Sequence, residues 1–278
     1  MNNCLSSILL VLAGSCSIPS CLHAEYDKAD ILDVHIHYNH NLWDGLSPDN
    51  AIQLLRDAGV SRALVSSTPD EGTQKLYRVA PQFVIPALRP YRRLGTISTW
   101  TRDASVIPYI EERLAKYRYA AIGEFHVVGS DADTPVIRRV VELAQQYKLL
   151  LHVHGNADAI ERIFRQDSQA RILWAHAGFE QAVLVEEMMD KHDRLGADLS
   201  FRNEIYTNHR FLQGWRELLV KHSDRFMLGM DTYTPQRWVK IDEVMAWQHE
   251  LLDALPENVA EKIAHDNALN IVANHFKP

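Results

Sequence analysis

The chain has 278 residues, of which 46% are hydrophobic and 23% are charged. This composition is typical of a folded globular protein and excludes disordered, collagen-like and coiled-coil architectures. Lys and Arg number 29 against 36 Asp and Glu, a formal net charge of -7. Because nucleic-acid binding needs clustered basic residues and no such run occurs, we expect no nucleic-acid partner.

The first 24 residues have the features of a secretory signal peptide. They contain no Lys, Arg, Asp or Glu, and their apolar centre spans residues 8–14. Such a core is shorter than the ~20 apolar residues that span a bilayer, and it suits a signal peptide. We therefore expect no membrane span, cleavage after Ala24, a mature domain over residues 25–278 and export to the periplasm. Lipidation at Cys16 or Cys21 and a frayed or buried N-terminal helix are the alternatives.

The three cysteines, Cys4, Cys16 and Cys21, all lie in this N-terminal segment. The expected mature domain therefore has no disulfide bond and no thiolate ligand. Any metal ion would be held by His and carboxylate side chains.

From residue 30 onwards, short apolar runs alternate with segments of helical periodicity. The predicted strands are 31–37, 60–65, 83–88, 120–126, 149–154, 171–176, 197–200 and 225–231. The predicted helices are 48–58, 70–80, 104–117, 135–147, 157–166, 180–191, 211–222 and the tail from 236. Strand–helix units about 28 residues long predict an α/β protein that is a single-domain (β/α)8 TIM barrel. An open doubly wound sheet is the alternative. The sequence has no Gly-rich phosphate-binding loop after the first strand, which argues against the nucleotide-binding version of that fold.

Metal-ligand residue types stand at the ends of five predicted strands. They are His35 and His37, Glu124, His152 and His154, His176, and Asp231. In a (β/α)8 barrel these strand ends form one face, where active sites lie. His35 and His37 are two residues apart, so both point to the same side of their strand and can bind one ion. Hydrogen-bonded core histidines are the alternative, but their recurrence on several strands favours a metal site.

Two further acidic residues on these strands leave alternatives open. Asp33 shares a strand face with the histidine pair, and it either orients a ligand imidazole or makes a hydrogen bond in the barrel floor. Glu124 is isolated among apolar residues, and a buried unpaired carboxylate is costly. It therefore needs a metal ion or an arginine such as Arg89 or Arg92.

The histidine pair of the fifth strand is ambiguous. His152 and His154 share a face, and one of them is enough to bind a metal ion. His154 lies nearer the C-terminal end of the strand and precedes the turn residues Gly155 and Asn156. We therefore predict that His154 is the ligand and that His152 packs beneath it.

These residues resemble the amidohydrolase superfamily of metal-dependent hydrolases, in particular its amidohydrolase-2 branch. The resemblance covers nearly the whole expected mature chain. It rests on the segments Asp33-Val34-His35-Ile36-His37, Gly123-Glu124-Phe125-His126, His154, Trp174-Ala175-His176-Ala177-Gly178 and Gly229-Met230-Asp231-Thr232.

The resemblance implies a site for one or two divalent ions. The implied ligands are His35, His37, Glu124, His154, His176 and Asp231. In binuclear members of the superfamily a strand-four group bridges two ions, and Glu124 takes that position, similar to TatD-like deoxyribonucleases. Ligation by His and carboxylate favours Zn²⁺, with Mn²⁺ and Fe²⁺ as alternatives.

The resemblance also implies hydrolysis of a C–N, C–O or P–O bond of a small molecule. A divalent ion lowers the pKa of water towards neutrality, and Asp231 is the expected proton acceptor. His176 or His126 would polarise the substrate oxygen. Arg92, Arg202 and Tyr233 are the expected substrate-binding residues, because an arginine at a strand end suits a carboxylate or a phosphate.

Two other functions remain as alternatives. The same branch contains decarboxylases, in which the metal ion would hold the substrate and arginines would bind its carboxylate. A non-catalytic barrel that binds a metal ion or a ligand is the third possibility, and the proton-accepting Asp231 argues against it.

Overall fold

The computed structural model describes residues 30–276. The predicted signal peptide and its cleavage site lie outside the described residues. Within residues 30–276, none of the helices has the length and apolar content that crossing a bilayer requires.

Parallel strands form the centre of the molecule, in chain order around one sheet. They are β1 (Ile31–Ile36), β2 (Val60–Val65), β3 (Val84–Leu88), β4 (Ala121–His126), β5 (Leu150–His154), β6 (Ile172–Trp174), β7 (Leu195–Asp198) and β10 (Phe226–Met227). Strands β8 (Tyr206–Thr207) and β9 (Arg210–Phe211) form a separate antiparallel hairpin between β7 and β10. Strand β10 pairs with β7. The residues that follow β10 hydrogen-bond to β1.

Two backbone hydrogen bonds bring the two edges of the sheet together. The amide of Val34 donates to Leu228 O (3.0 Å), and the amide of Asp231 donates to His35 O (2.7 Å). The sheet is therefore nearly closed into a barrel. The (β/α)8 prediction is confirmed, and the open doubly wound alternative is wrong because its strands would not follow chain order.

Helices surround the sheet. They are α1 (Pro48–Asp57), α2 (Glu71–Val79), α3 (Val106–Lys116), α4 (Pro135–Tyr147), α5 (Ala157–Gln166), α6 (Ala182–Lys191), α7 (Trp215–Lys221), α8 (Pro235–Val239), α9 (Ile241–Asp253), α10 (Glu257–Glu261) and α11 (Asn267–Ile271). Local sequence sets several helix starts. The side chain of Thr134 accepts from Ile137 N (3.4 Å) ahead of Pro135, and Asn156 accepts from Ala159 N (3.2 Å), which satisfies amides that have no partner within the helix.

Backbone turns shorten three predicted elements. Strand β6 stops at Trp174 because His176 has a left-handed backbone (φ 58°). The strand predicted over 225–231 is β10, which ends at Met227, before a turn in which Asp231 has φ 46°. The helix predicted from residue 211 begins only at Trp215. These turns face the carboxyl ends of the strands, so they reshape the region where the site lies.

An apolar cluster fills the lower part of the barrel. Leu32, Leu64, Ile85 and Leu150 come from four different strands and pack in one cluster with Phe276 near the C-terminus. Side chains from strands around a barrel can meet only in its interior. This cluster closes one end of the barrel, and the polar side chains gather at the other.

Candidate functional site

Two histidines and two carboxylates converge at the carboxyl ends of the strands. His35 and His37 come from the end of β1, Glu124 from β4, and Asp231 from the turn after β10. The Nε2 atoms of His35 and His37 lie 3.1 Å apart. Each lies within 3.6 Å of both Glu124 Oε2 and Asp231 Oδ1. All four residues are buried.

Backbone carbonyl groups orient two of the histidine rings. His37 Nδ1 lies 2.6 Å from Ser66 O, and His176 Nδ1 lies 2.9 Å from Ser200 O. A carbonyl oxygen only accepts, so each Nδ1 carries a hydrogen and donates it. With the hydrogen on Nδ1, the Nε2 atom of each ring faces the carboxylate cluster and can offer a lone pair to a metal ion. A ring nitrogen that donates to a carbonyl in this way is the usual support for a metal-bound histidine.

Asp198, at the end of β7, connects the cluster to the histidine pairs of β1 and β5. Its Oδ2 lies 3.1 Å from His35 Nδ1 and 3.2 Å from His152 Nε2. Its Oδ1 accepts from the amides of His176 (3.2 Å) and Ser200 (3.0 Å). Burial opposes ionisation, but the charge of His35 and these hydrogen bonds hold the pKa of Asp198 well below its ordinary value. Asp198 is therefore a buried carboxylate that fixes two imidazole rings.

The buried carboxylates attract positive charge to His35. Burial alone would lower the pKa of His35, but the charges of Asp231, Asp198 and Glu124 raise it well above the ordinary value. The same region must therefore hold a cation, either a proton on His35 or a metal ion among the carboxylates.

The two oxygens of Glu124 face different partners. Oε2 faces the pair His35 and His37 and accepts from Arg89 Nη2 at 2.7 Å. Oε1 lies 2.8 Å from His154 Nδ1, 3.2 Å from His126 Nε2 and 3.8 Å from His176 Nε2. The carboxylate thus stands between two groups of imidazoles. Arg89 supplies the counter-charge that the isolated Glu124 was expected to need.

Asp231 has an unpaired buried oxygen that points into the cluster. The Asp231 side chain is 9% exposed, and its Oδ1 has no hydrogen-bond partner. Burial raises its pKa, but the charge of His35 holds the pKa below its ordinary value. An ionised buried oxygen without a donor, beside Nε2 lone pairs, is the environment that suits a divalent ion. The donor set of imidazoles and carboxylates therefore fits the implied metal.

His152 and His154 occupy different layers of the barrel. His152 is buried and faces Asp198, whereas His154 is 31% exposed, faces Glu124 and lines a cavity above the cluster. Burial and the charge of His35 lower the pKa of His152 to about 4, so His152 is neutral at physiological pH. His154, and not His152, therefore lies beside Glu124, the carboxylate predicted to be a metal ligand.

Asp33 hydrogen-bonds to the backbone of β1, and among the described residues it makes no hydrogen bond to an imidazole. Its Oδ1 accepts from the amide of His35 at 2.7 Å. Burial raises the pKa of Asp33 to about 7. Of the two roles predicted for Asp33, the hydrogen bond in the barrel floor is the one that the structure has.

A cavity of about 410 Å³ opens above the cluster. Glu124, His126, His154, His176 and Asp231 contribute to its floor and walls, and Tyr233 lines it as expected. Arg89 also lines it, together with the apolar residues Leu94, Ile97, Phe179 and Phe201.

The predicted substrate-binding role of Arg92 and Arg202 needs correction, because neither side chain lines the cavity. Arg92 donates to Asp103 Oδ2 (2.8 Å) and Ser105 Oγ (2.6 Å). Arg202 is buried and donates to the backbone carbonyls that follow β6. Both guanidinium groups hold loops of the protein in place.

Several residues of this region escape prediction from the sequence. Ser66 and Ser200 each place a backbone carbonyl and a hydroxyl beside a histidine Nδ1, and a single serine in a strand-end segment does not signal either contact. Asp198 stands at a strand end like the predicted ligands, and this position is the signal that could have identified it. Phe179 and Phe201 have no pattern that distinguishes them from core residues.

Comparisons with known proteins rest on structure. No protein-family model matches the sequence, and no curated protein matches it significantly. An uncharacterized TIM-barrel protein from Bordetella bronchiseptica superimposes with a TM-score of 0.63 at 12% identity, over 88% of this chain and 99% of that chain. A candidate 2-pyrone-4,6-dicarboxylic acid hydrolase from Pseudomonas putida gives 0.62 at 14% identity, over 87% and 96%.

A third neighbour contains a metal ion. It is an amidohydrolase from Burkholderia multivorans with bound zinc, which gives a TM-score of 0.57 at 14% identity over 87% of this chain and 99% of that chain. Identities this low establish the fold and not the chemistry. The chain has the fold of amidohydrolase-type TIM barrels, as the resemblance of its strand-end motifs led us to expect.

Proposed function

We propose that the chain is a metal-dependent hydrolase that cleaves a bond of a small molecule with an activated water. The observation that carries this proposal is the convergence of the His35 and His37 Nε2 atoms on Glu124 Oε2 and on the unpaired Asp231 Oδ1. The expected ligands are His35, His37, Glu124, His154, His176 and Asp231. Zn²⁺ is our first choice of ion, with Mn²⁺ and Fe²⁺ as alternatives.

A divalent ion in this cluster supplies Lewis acidity, which polarises a substrate oxygen and lowers the pKa of water towards neutrality. The number of ions depends on Glu124. Its Oε2 faces the β1 pair and its Oε1 faces His154 and His126, so this carboxylate could serve two ions. We propose one or two ions on this ground.

Asp231 is the proposed proton acceptor. Its carboxylate is ionised, it lines the cavity, and its Oδ1 has no hydrogen bond to lose. It takes a proton from the attacking water and returns it to the leaving group. The amide of Asp231 donates to His35 O at 2.7 Å, which holds the backbone of this turn against β1.

His126 is the proposed group that polarises the substrate, because His176 carries its hydrogen on Nδ1 and its Nε2 is assigned to the metal ion. Burial lowers the pKa of His126 to about 3, so the ring is neutral at physiological pH and acts as a hydrogen-bond donor rather than as an acid. His176 has its Nδ1 fixed by Ser200 O (2.9 Å), which keeps its Nε2 directed towards Glu124 and Asp231.

Decarboxylation is less well supported by the same contacts. A decarboxylase of this kind needs a free cation for the substrate carboxylate. Of the predicted arginines, Arg92 is bound to Asp103 and Arg202 to backbone carbonyls. We therefore favour hydrolysis, and we retain export to the periplasm as part of the proposal from the sequence alone.

Metal analysis tests this proposal directly. The mature domain, residues 25–278, is purified without a His-tag or chelator, and its metal content is measured by elemental analysis. We expect about one or two equivalents of Zn, Mn or Fe per chain, and metal-dependent hydrolysis in a panel of esters, lactones, amides and phosphoesters. A protein that contains no metal and takes none up on reconstitution would rule out the proposed function.

A further inference from the structure

An apolar collar surrounds the mouth of the cavity above the cluster. It consists of Leu94, Ile97, Phe179, Phe201 and Tyr233, which lie in the loops after β3, β6, β7 and β10. Leu94 is 38% exposed, Phe179 53% and Tyr233 47%. Large apolar side chains exposed around a concave site are typical of ligand-binding surfaces.

The apolar collar touches the reactive end of the cavity. The Phe179 ring stacks on His176 with centroids 4.7 Å apart, and the Phe201 ring lies 5.9 Å from the same imidazole. Phe201 also lies 5.9 Å from Tyr233. A substrate whose reacting group reaches His176 must therefore lie against these aromatic faces.

Backbone strain accompanies the two phenylalanines. Phe179 has φ 56° and Phe201 has φ 57°, in the left-handed region that bulky residues seldom adopt. Such a backbone is strained for any residue with a Cβ atom. Strain of this kind is typical of functional sites, and here it occurs at the two positions that direct aromatic rings towards His176.

The guanidinium groups near the apolar collar are bound to the protein. Arg89 donates to Glu124 Oε2 (2.7 Å) and to Glu124 O (3.1 Å). Arg202 donates to His176 O (2.8 Å) and Glu180 O (3.0 Å). Among the described residues that line the cavity, Arg89 is the one arginine, and no lysine accompanies it.

Arg237 is held in the same way behind the apolar collar. It donates to the carbonyls of Met230 and Asp231, and its guanidinium lies 3.9 Å from the centre of the Phe201 ring. Its charge therefore supports the aromatic wall from outside the cavity. A carboxylate or phosphate on the substrate would meet apolar rings here, and burying an unpaired charge is costly.

We propose that the cavity accepts an uncharged, largely apolar substrate, a neutral carboxylic ester or lactone with an aromatic or alkyl group, and discriminates against anionic substrates. This inference rests on the proposed hydrolase function. In the reaction, the oxygen of water bonds to the acyl carbon and the acyl C–O bond breaks. The water proton passes through Asp231 to the leaving oxygen, which gives a carboxylic acid and an alcohol.

Two esters that differ in one charge test the substrate class. In 4-nitrophenyl hemisuccinate, a carboxylate replaces the terminal methyl group of 4-nitrophenyl butyrate. We expect kcat/KM of the metal-loaded protein to be at least tenfold higher for the butyrate. Preference for the hemisuccinate would overturn the inference, and its metal-dependent turnover would leave the hydrolase function intact.

Binding of the matching ketones separates the inference from the proposed function. Butyrophenone and 3-benzoylpropionate cannot be hydrolysed and differ by the same methyl-to-carboxylate change. We expect calorimetry to show at least tenfold tighter binding of butyrophenone. If this holds while neither ester is cleaved, the hydrolase proposal fails and the apolar preference of the cavity stands. If butyrophenone does not bind, or the carboxylate binds more tightly, the inference is overturned.

Collar variants show whether the preference comes from the proposed residues. We expect Phe201→Ala to weaken butyrophenone binding and raise KM for the butyrate about tenfold, with a smaller change in kcat. Leu94→Arg should shift the selectivity towards the hemisuccinate. Leu212→Ala is the control, because Leu212 is 50% exposed and lies outside the cavity. Equal effects of Phe201→Ala and Leu212→Ala would contradict the assignment.

Discussion

The Nε2 atoms of His35 and His37 lie 3.1 Å apart, and the Nδ1 atom of each ring faces an oxygen atom. For His37 that oxygen is the Ser66 carbonyl, which only accepts, so Nδ1 carries a hydrogen and Nε2 can offer a lone pair to a metal ion. A proton on one ring or a metal ion between the two accounts for this close approach, and the carboxylates of Glu124 and Asp231 lie within 3.6 Å to balance its charge.

Replacement of Asp231 tests its role in proton transfer. Asp231→Asn keeps the size of the side chain and an oxygen that can face a metal ion, but it removes the basic carboxylate. We expect kcat/KM to fall about 10²–10⁴-fold, the usual contribution of general acid–base catalysis, while the melting temperature stays close to that of the wild type. Measurement with the best substrate of the panel checks this, and full activity would show that another group accepts the proton.

Removal of the β1 histidines tests the metal site itself. We expect His35→Ala and His37→Ala each to lose bound metal, because each removes an Nε2 donor from the cluster. His40→Ala is the matched control, since His40 lies a few residues further along the chain, is exposed and does not line the cavity. Elemental analysis of the three purified variants gives the comparison. Wild-type metal content in His35→Ala would place the ion elsewhere.

Asp198 is expected to act on metal affinity without binding the ion. It orients His35 through Nδ1 at 3.1 Å, and loss of such a partner typically costs 10–100-fold in affinity. We expect Asp198→Asn to weaken binding by about that factor in a chelator competition. Asp193→Asn, at a side chain that is 95% exposed, should leave affinity unchanged. Similar values for the two variants would make Asp198 a structural residue only.

The two histidines of β5 should respond differently to the same substitution. His154→Gln removes an imidazole 2.8 Å from Glu124 Oε1, so we expect lower metal content or affinity. His152→Gln leaves an amide that can donate to Asp198, so we expect the metal content to be retained. Elemental analysis and chelator competition on both variants decide between them, and the reverse pattern would identify His152 as the ligand.

A buried ion pair away from the cluster offers a test of stability. Arg113 Nε donates to Asp70 Oδ2 at 2.8 Å, and the hydroxyl of Tyr119 donates to the same oxygen at 2.7 Å. We expect Arg113→Met to lower the free energy of unfolding in urea by about 3–5 kcal/mol, because it leaves the buried Asp70 carboxylate without its cation. Arg139→Met breaks half-exposed ion pairs and should cost at most about 1 kcal/mol. Equal losses would contradict the importance of burial.

Much of the fold was predictable because its signals are local. Apolar runs and helical periodicity recur along the chain, and capping residues such as Thr134 with Pro135 mark helix starts where the structure has them. The ends of elements were less predictable. The early end of β6 depends on the left-handed backbone of His176, and no residue type announces such a conformation in a histidine.

The sequence by itself determined the barrel and the residue types that stand at its strand ends, because the alternation of strands and helices sends those ends to one face. Only the tertiary structure decided how they are used. His35 and Asp198 are 163 positions apart in the chain, yet their side chains lie 3.1 Å apart. Whether an arginine binds a substrate or a backbone carbonyl, and whether a phenylalanine lies in the core or in the apolar collar, depends on such distant contacts and on backbone torsions. Local sequence patterns encode neither the distant contacts nor these backbone torsions.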